Sequence, residues 1–133
     1  MPEFFKISTT LPATPKQIYT AWMGSKRHTE FTGEPADVET MVGGHFKAFG
    51  NYITGVNLEL KPYRKIVQSW RTTEFPDTAE DSRLEIDLEE TRGGTKLTMR
   101  HSNIPDGQAA AYKDGWKKFY FARLKTYFLK RMK

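Results

Sequence analysis

The sequence contains no cysteine. Disulfides and thiolate metal sites are thereby excluded, and a reducing compartment suits the chain. No apolar run approaches the length that crosses a bilayer. The N-terminal MPEFFKISTTL lacks a basic segment followed by an apolar one, so no secretory signal is read. Catalytic signatures are missing too. There is no GxSxG elbow and no Walker loop, and GHFKAFGNYITG scatters its glycines without GxGxxG spacing. His28, His45 and His101 lie far apart, with no HxxxH or HExxH pairing, so neither a metal nor a cofactor is expected. These absences predict a soluble, cytoplasmic protein that is not an enzyme, with no catalytic residues and no membrane insertion.

What is present is a chain of 133 residues, the usual size of one domain spanning 1–133. Hydrophobic residues make up 38% and charged residues 28%, which argues against disorder. The net charge of +5 is unevenly placed. Residues 106–133 hold eight Lys or Arg against two Asp, a balance of +6, whereas residues 1–105 hold thirteen bases against fourteen acids. That basic segment is either a solvated helix face or a surface for an acidic partner.

EFFKISTT reads as a first strand. In TPKQIYTAWM, Thr14 predicts an N-cap, Pro15 suits the first turn, and Ile18, Ala21 and Trp22 share one face. A second helical piece begins at Ser25 and ends by Gly33 and Pro35. The middle is strand and turn. Val56, Leu58 and Leu60 alternate with polar residues in one stretch, and Leu84, Ile86 and Leu88 do so in SRLEIDLEET. Gly93-Gly94 predicts a hairpin, after which Leu97, Met99 and His101 share a face. An inward His101 with no positioned partner reads as a core residue rather than an acid–base catalyst. Glu59 and Glu85 fall on polar, solvated faces.

A long helix is predicted after Asp106, its expected N-cap. On a wheel of 100° per residue, its aromatic and aliphatic residues from Trp116 to Met132 cover an arc of roughly 220°, about twice a core-facing stripe. Either the sheet wraps the helix or part of the arc lines a cavity. Gly115 inside this helix predicts a close backbone approach or a bend. Strands bracketed by helices indicate an α+β fold with an antiparallel sheet. Bases interleaved with aromatics also fit single-stranded nucleic acid. The aromatics lie on the buried-type arc and no RNP-like sequence occurs, so no nucleic-acid partner is expected.

GGHFKAFGNYITGVNLELKPYRKIVQSWR, SNIPDG and DGWKKFYFARLKTYF together resemble the family of activators of heat-shock protein 90 ATPase homologues. The matching positions are Gly43, Gly44 and Phe46, then Gly55, Leu60, Pro62, Ile66, Val67, Trp70 and Arg71, then Gly115, Trp116 and Tyr120. The resemblance covers nearly the whole chain. It implies a helix-grip fold, shared with START-like and birch-pollen-allergen-like domains: a curved antiparallel sheet around a long C-terminal helix, with a cavity between. In eukaryotic co-chaperones such a domain is the C-terminal part, so a stand-alone unit is expected here.

Two classes of function follow from the resemblance. One is a binding module for a small hydrophobic or amphipathic ligand, its cavity lined by Trp22, Phe46, Trp70, Met99, His101, Trp116 and Tyr120. The other is a co-chaperone-like domain that meets a chaperone or other acidic partner through Lys118, Lys125 and Lys133. A cavity-based cyclase or dehydratase, as in some helix-grip relatives, is the weaker alternative.

Overall fold

The computed structural model describes residues 2–131. Strand β1 (Glu3–Leu11) is followed by helices α1 (Pro15–Met23) and α2 (Ser25–Thr32). Six strands come next: β2 (Ala36–Val38), β3 (His45–Ala48), β4 (Ile53–Lys61), β5 (Lys65–Thr72), β6 (Ser82–Thr91) and β7 (Gly94–Ile104). The C-terminal helix has three successive segments: α3 (Ala109–Gly115), a π-helical segment (Trp116–Phe121) and α4 (Ala122–Arg131). The seven strands form one sheet in the order β1-β7-β6-β5-β4-β3-β2, and every neighbouring pair is antiparallel. This is the α+β helix grip that the sequence predicts, with the C-terminal helix lying across the sheet.

Local chemistry explains most boundaries. Thr14 accepts from the Gln17 amide at 3.1 Å while the Gln17 side chain accepts from the Thr14 amide at 2.8 Å, a reciprocal cap that opens α1. α2 closes at Gly33. In β6, Leu84, Ile86 and Leu88 face the core. β7 buries Leu97, Met99 and His101 completely, and the two strands join through the tight turn at Arg92-Gly93.

Three places differ from expectation. In β4 the apolar set does not form the buried face: Leu58 is 45% exposed, whereas Asn57 is wholly buried. The register slips between Asn57 and Glu59, a bulge that re-aims the side chains on either side of it. Asn57 donates to the carbonyls of Glu39 and Met41 at 2.7 and 3.1 Å and accepts from the Gln68 amide at 2.9 Å. Its burial is therefore fully compensated.

The C-terminal helix also starts later than expected. Its N-cap position is Gln108 rather than Asp106, with no capping bond from the Gln108 side chain. The Glu3 carboxylate, from the far end of the chain, instead accepts from the amides of Gly107 and Ala109 at 3.0 and 3.1 Å. An anion at a helix N-terminus satisfies orphan donors and complements the helix dipole.

Third, the helix is not α-helical throughout. The Ala122 amide donates to the carbonyl of Lys117, five residues back. Tyr112, Trp116, Tyr120, Leu124 and Phe128 recur every four residues and are all buried. Four residues overshoot an α-helical turn by about 40°, so five such residues would wander off one face. The wider π turn takes up part of the overshoot. The apolar arc measured on an ideal wheel is accordingly too wide. Met132 of that arc lies outside the described residues.

Candidate functional site

Between the C-terminal helix and the β3–β4 end of the sheet lies a pocket of about 270 Å³. The turn between β3 and β4 supplies Phe49 and Tyr52, and Ile53 follows at the start of β4. Trp70 comes from β5 and Glu74 from the loop after it. The helix supplies two neighbouring stripes, each spaced by four: Ala111, Gly115 and Phe119, and beside them Tyr112, Trp116 and Tyr120. The second stripe is buried against the sheet, while Phe119 of the first is 43% exposed. The surplus apolar surface of the helix thus faces this pocket. A larger concavity of about 730 Å³ lies beside Lys61, Arg64, Lys65, Asp87, Glu89 and Glu90. It is lined by charges of both signs, with Leu88 its one buried side chain, so it lacks the apolar character of a small-molecule site.

Gly115 has ordinary helical angles, φ −62° and ψ −42°. A Cβ there would meet only the Phe119 ring, at 3.8 Å. No backbone approaches it closely, so that expectation is corrected. Gly115 stands at the junction with the π segment and leaves the pocket wall open. Gly55, another family-matched glycine, behaves in the opposite way. A Cβ on Gly55 would lie 1.9 Å from the Ser69 carbonyl oxygen and 2.6 Å from the Phe46 ring. Only glycine fits where β4 crosses Phe46 so tightly.

Two buried histidines stand behind the aromatic wall. Trp116 Nε1–H donates to His101 Nδ1 at 3.1 Å, which leaves the His101 proton on Nε2, facing Ser82 Oγ at 2.8 Å. Ser82 passes its own proton to the Trp70 carbonyl at 2.6 Å. His101 thus holds the Trp116 indole by a hydrogen bond and meets the Trp70 ring edge-on at 4.7 Å. Its burial holds its pKa down to about 3. His28 Nδ1–H donates to the Trp22 carbonyl at 2.8 Å, so its Nε2 accepts from the Tyr120 hydroxyl at 2.8 Å. Burial lowers the His28 pKa to about 4, against a smaller opposing effect of the Trp22 carbonyl. Burial also raises the pKa of the Tyr120 hydroxyl, which stays protonated. Both imidazoles are neutral and wholly engaged.

The rim carries a second polar network. The Tyr52 hydroxyl donates to Glu74 Oε2. The Glu74 amide donates to Thr72 Oγ1 at 3.1 Å, and its carbonyl accepts from Gln108 Nε2 at 3.1 Å. Tyr112 bridges Thr72 and Gln108 at 2.7 and 2.6 Å. Phe49 occupies the left-handed region at φ 53°, unusual for a bulky residue, and its ring meets those of Phe119 and Tyr120 at 6.2 and 5.9 Å.

Of the cavity residues predicted from sequence, Trp70, Trp116 and Tyr120 line the pocket. Trp22 and His101 lie one layer behind, in ring contact with Trp116 at 6.0 Å each. Phe46 is buried beneath Gly55, and Met99 is buried in the sheet core. Phe49, Tyr52, Glu74 and the Ala111–Gly115–Phe119 stripe were not anticipated. Two small residues and a ring, spaced by four beside the aromatic stripe, are the pattern that marks them. Among the basic residues, Lys118 and Lys125 are exposed, and Lys118 pairs with Asp114 at 2.9 Å. Lys133 lies outside the described residues. Among those residues no cluster of His, Asp or Glu is placed to hold a metal, and no helix is long and apolar enough to cross a membrane.

The family model for Activator of Hsp90 ATPase homolog 1-like protein matches residues 12–129. The human activator of 90 kDa heat shock protein ATPase homolog 1 is 25% identical over 122 residues, 92% of this chain and 36% of the human protein. The chain thus spans about a third of the length of the curated relatives it matches. Among solved structures, an HSP90 activator from Plasmodium falciparum superposes with a TM-score of 0.87 at 24% identity, covering 94% of this chain and 95% of that one. Ara h 8.0201 superposes with a TM-score of 0.76 at 15% identity, covering 98% and 99%. These two likenesses concern the fold. With the family model running from just after β1 into α4, the chain belongs to the Activator of Hsp90 ATPase homolog 1-like family.

Proposed function

We propose that the protein is a single, non-catalytic binding unit that takes a small, mostly apolar ligand into the pocket between sheet and C-terminal helix. The observation that carries this reading is the unfilled space itself. A cleft of about 270 Å³, open to solvent on one side, is walled by aromatic rings of both sheet and helix. The rings are not loosely held: Trp116 and Tyr120 are hydrogen-bonded from behind by His101 and His28, and the Trp70 ring packs edge-on against His101 at 4.7 Å. Preorganised apolar walls with a few placed polar groups are what small-ligand sites use. A non-catalytic role is supported because both buried histidines are committed to structural hydrogen bonds. The absence of cysteine accords with a cytoplasmic setting. The test is a titration of the protein with small apolar probes, followed by backbone NMR and tryptophan fluorescence. Shifts should centre on Phe49, Tyr52, Ala111, Gly115 and Phe119. Gly115→Leu, which projects a side chain into the open wall, should abolish them without unfolding the protein. Shifts that survive in Gly115→Leu refute the reading.

Family membership favours a second reading, docking on a chaperone of the 90 kDa heat-shock type, since the human relative is an activator of that ATPase. The exposed Lys118 and Lys125 would steer an acidic partner. Part of the Lys118 charge is already balanced by Asp114. Charge reversal at both lysines, with binding to the purified chaperone measured between 0.01 and 0.1 M salt, tests this reading. Affinity that ignores both the reversal and the salt excludes steering by this helix.

A further inference from the structure

If the pocket binds a ligand, as just proposed, its walls also specify the ligand's charge. Seven aromatic rings line it, and aromatic rings are electron-rich on their faces. Its single charged lining residue among those described is an acid, Glu74; no Lys, Arg or His lines it. Its lining thus carries one negative and no positive charge, in a chain of net charge +5. Two arginines lie nearby, each already engaged. Arg71 lies over Phe75 at 5.3 Å and pairs with Asp81 at 2.7 Å. Arg123 donates to the Thr32 carbonyl at the end of α2 and rests on the Phe119 ring at 4.9 Å. The latter contact places a cation on one of the wall rings within the protein itself.

Glu74 is held at the rim rather than left to wander. Tyr52 donates to its carboxylate, and Thr72 and Gln108 hold its backbone. Burial, reinforced by the Glu74 bond, pushes the Tyr52 hydroxyl up to about 12. Tyr52 therefore remains a donor at neutral pH, and a carboxylate has more lone pairs than one hydroxyl uses.

We propose that the pocket selects small organic cations: an ammonium group on a short apolar body, with the head beside Glu74 and the body against Trp70 and Trp116. The combination follows from two forces acting together, attraction of a cation to ring faces and to a positioned carboxylate. A ligand carboxylate would meet Glu74 and be repelled. The cleft, of about 270 Å³ and open to solvent on one side, suits a short apolar body of a few carbons.

The experiment uses three six-carbon probes with different heads: hexylammonium, 1-hexanol and hexanoate, the last with one methylene fewer in its apolar body. Each is titrated into the full chain at pH 7 and low salt, with shifts read at the pocket amides and the tryptophan indoles. Hexylammonium should bind about tenfold more tightly than hexanol, and hexanoate most weakly. Glu74→Gln, a change at an exposed side chain, should lower hexylammonium affinity about tenfold and leave hexanol unchanged, with the melting temperature retained. Hexanol or hexanoate binding as tightly as hexylammonium overturns the cation preference while leaving ligand binding intact. An unchanged hexylammonium affinity in Glu74→Gln does the same. Silence from all three probes at the pocket overturns both the preference and the binding reading on which it rests.

Discussion

Gly115→Ala offers a test in which stability and binding should move in opposite directions. Gly115 sits mid-helix with φ −62° and ψ −42°, angles that any L-residue adopts. The added Cβ meets one neighbour, the Phe119 ring, at 3.8 Å, an ordinary contact. Nothing in the folded state opposes alanine. The unfolded chain, by contrast, loses freedom when glycine is replaced, and alanine is the better helix former by about 1 kcal/mol. Unfolding entropy of about 2.1 cal/mol/K per residue gives about 0.28 kcal/mol/K for this chain, so the melting temperature should rise about 3–4 °C. The same methyl enters the pocket wall and should weaken binding of the larger probes. Calorimetric melts and urea midpoints on wild type and variant measure the first effect, and probe titrations the second. A melting temperature lowered by several degrees would refute the reasoning, because it would mean that the α-to-π junction itself requires glycine. A stabilised variant with unaltered binding would show that Gly115 does not shape the ligand's space.

The contrasting glycine should behave oppositely. Gly55→Ala places a methyl 1.9 Å from the Ser69 carbonyl oxygen and should cost at least about 3 kcal/mol in urea unfolding, the upper end for overpacking. Trp116→Ala should cost about 3–5 kcal/mol by the same measurement, since the indole is buried among Trp22, Trp70 and Tyr120 and its loss also strands His101 Nδ1; a cost under 1 kcal/mol would contradict its place in the core. Acid should destabilise the protein through His28 and His101. Their folded pKa values, about 4 and about 3, lie below the ~6.5 of an unfolded chain, so the unfolded state binds more protons as pH falls. Their stabilising effect is complete above about pH 6.5 and declines towards pH 4 by about 1.4 kcal/mol per pH unit for each histidine. Unfolding free energies from urea melts should be flat above about pH 6.5 and approach a slope of two protons between about pH 5.5 and 4.5, and His101→Leu should remove one of them.

The sequence made legible those features that rest on local rules. Alternation placed the inward faces of β6 and β7, the Thr14 cap opened α1, and a long apolar helix after a run of strands implied the grip. It was less legible where geometry depends on two distant segments. The Asn57 inversion needs the Gln68 amide and the Glu39 and Met41 carbonyls to be in place, so alternation alone pointed to Leu58. Glu3 caps a helix more than a hundred residues away, a bond that proximity to Asp106 could not suggest. The pocket failed to appear in full for a related reason. Large apolar side chains were taken as its lining, but these also fill cores, and Phe46 and Met99 do so here. What distinguishes the wall is where side chains are small. Ala111 and Gly115 withdraw volume from one helix stripe, and the π turn keeps Trp116 and Tyr120 on the stripe beside it. The left-handed Phe49 and the loop carrying Glu74 then close the other side. A cavity is thus specified by the residues that decline to fill it, read together with the helical phase that sets which rings they stand beside.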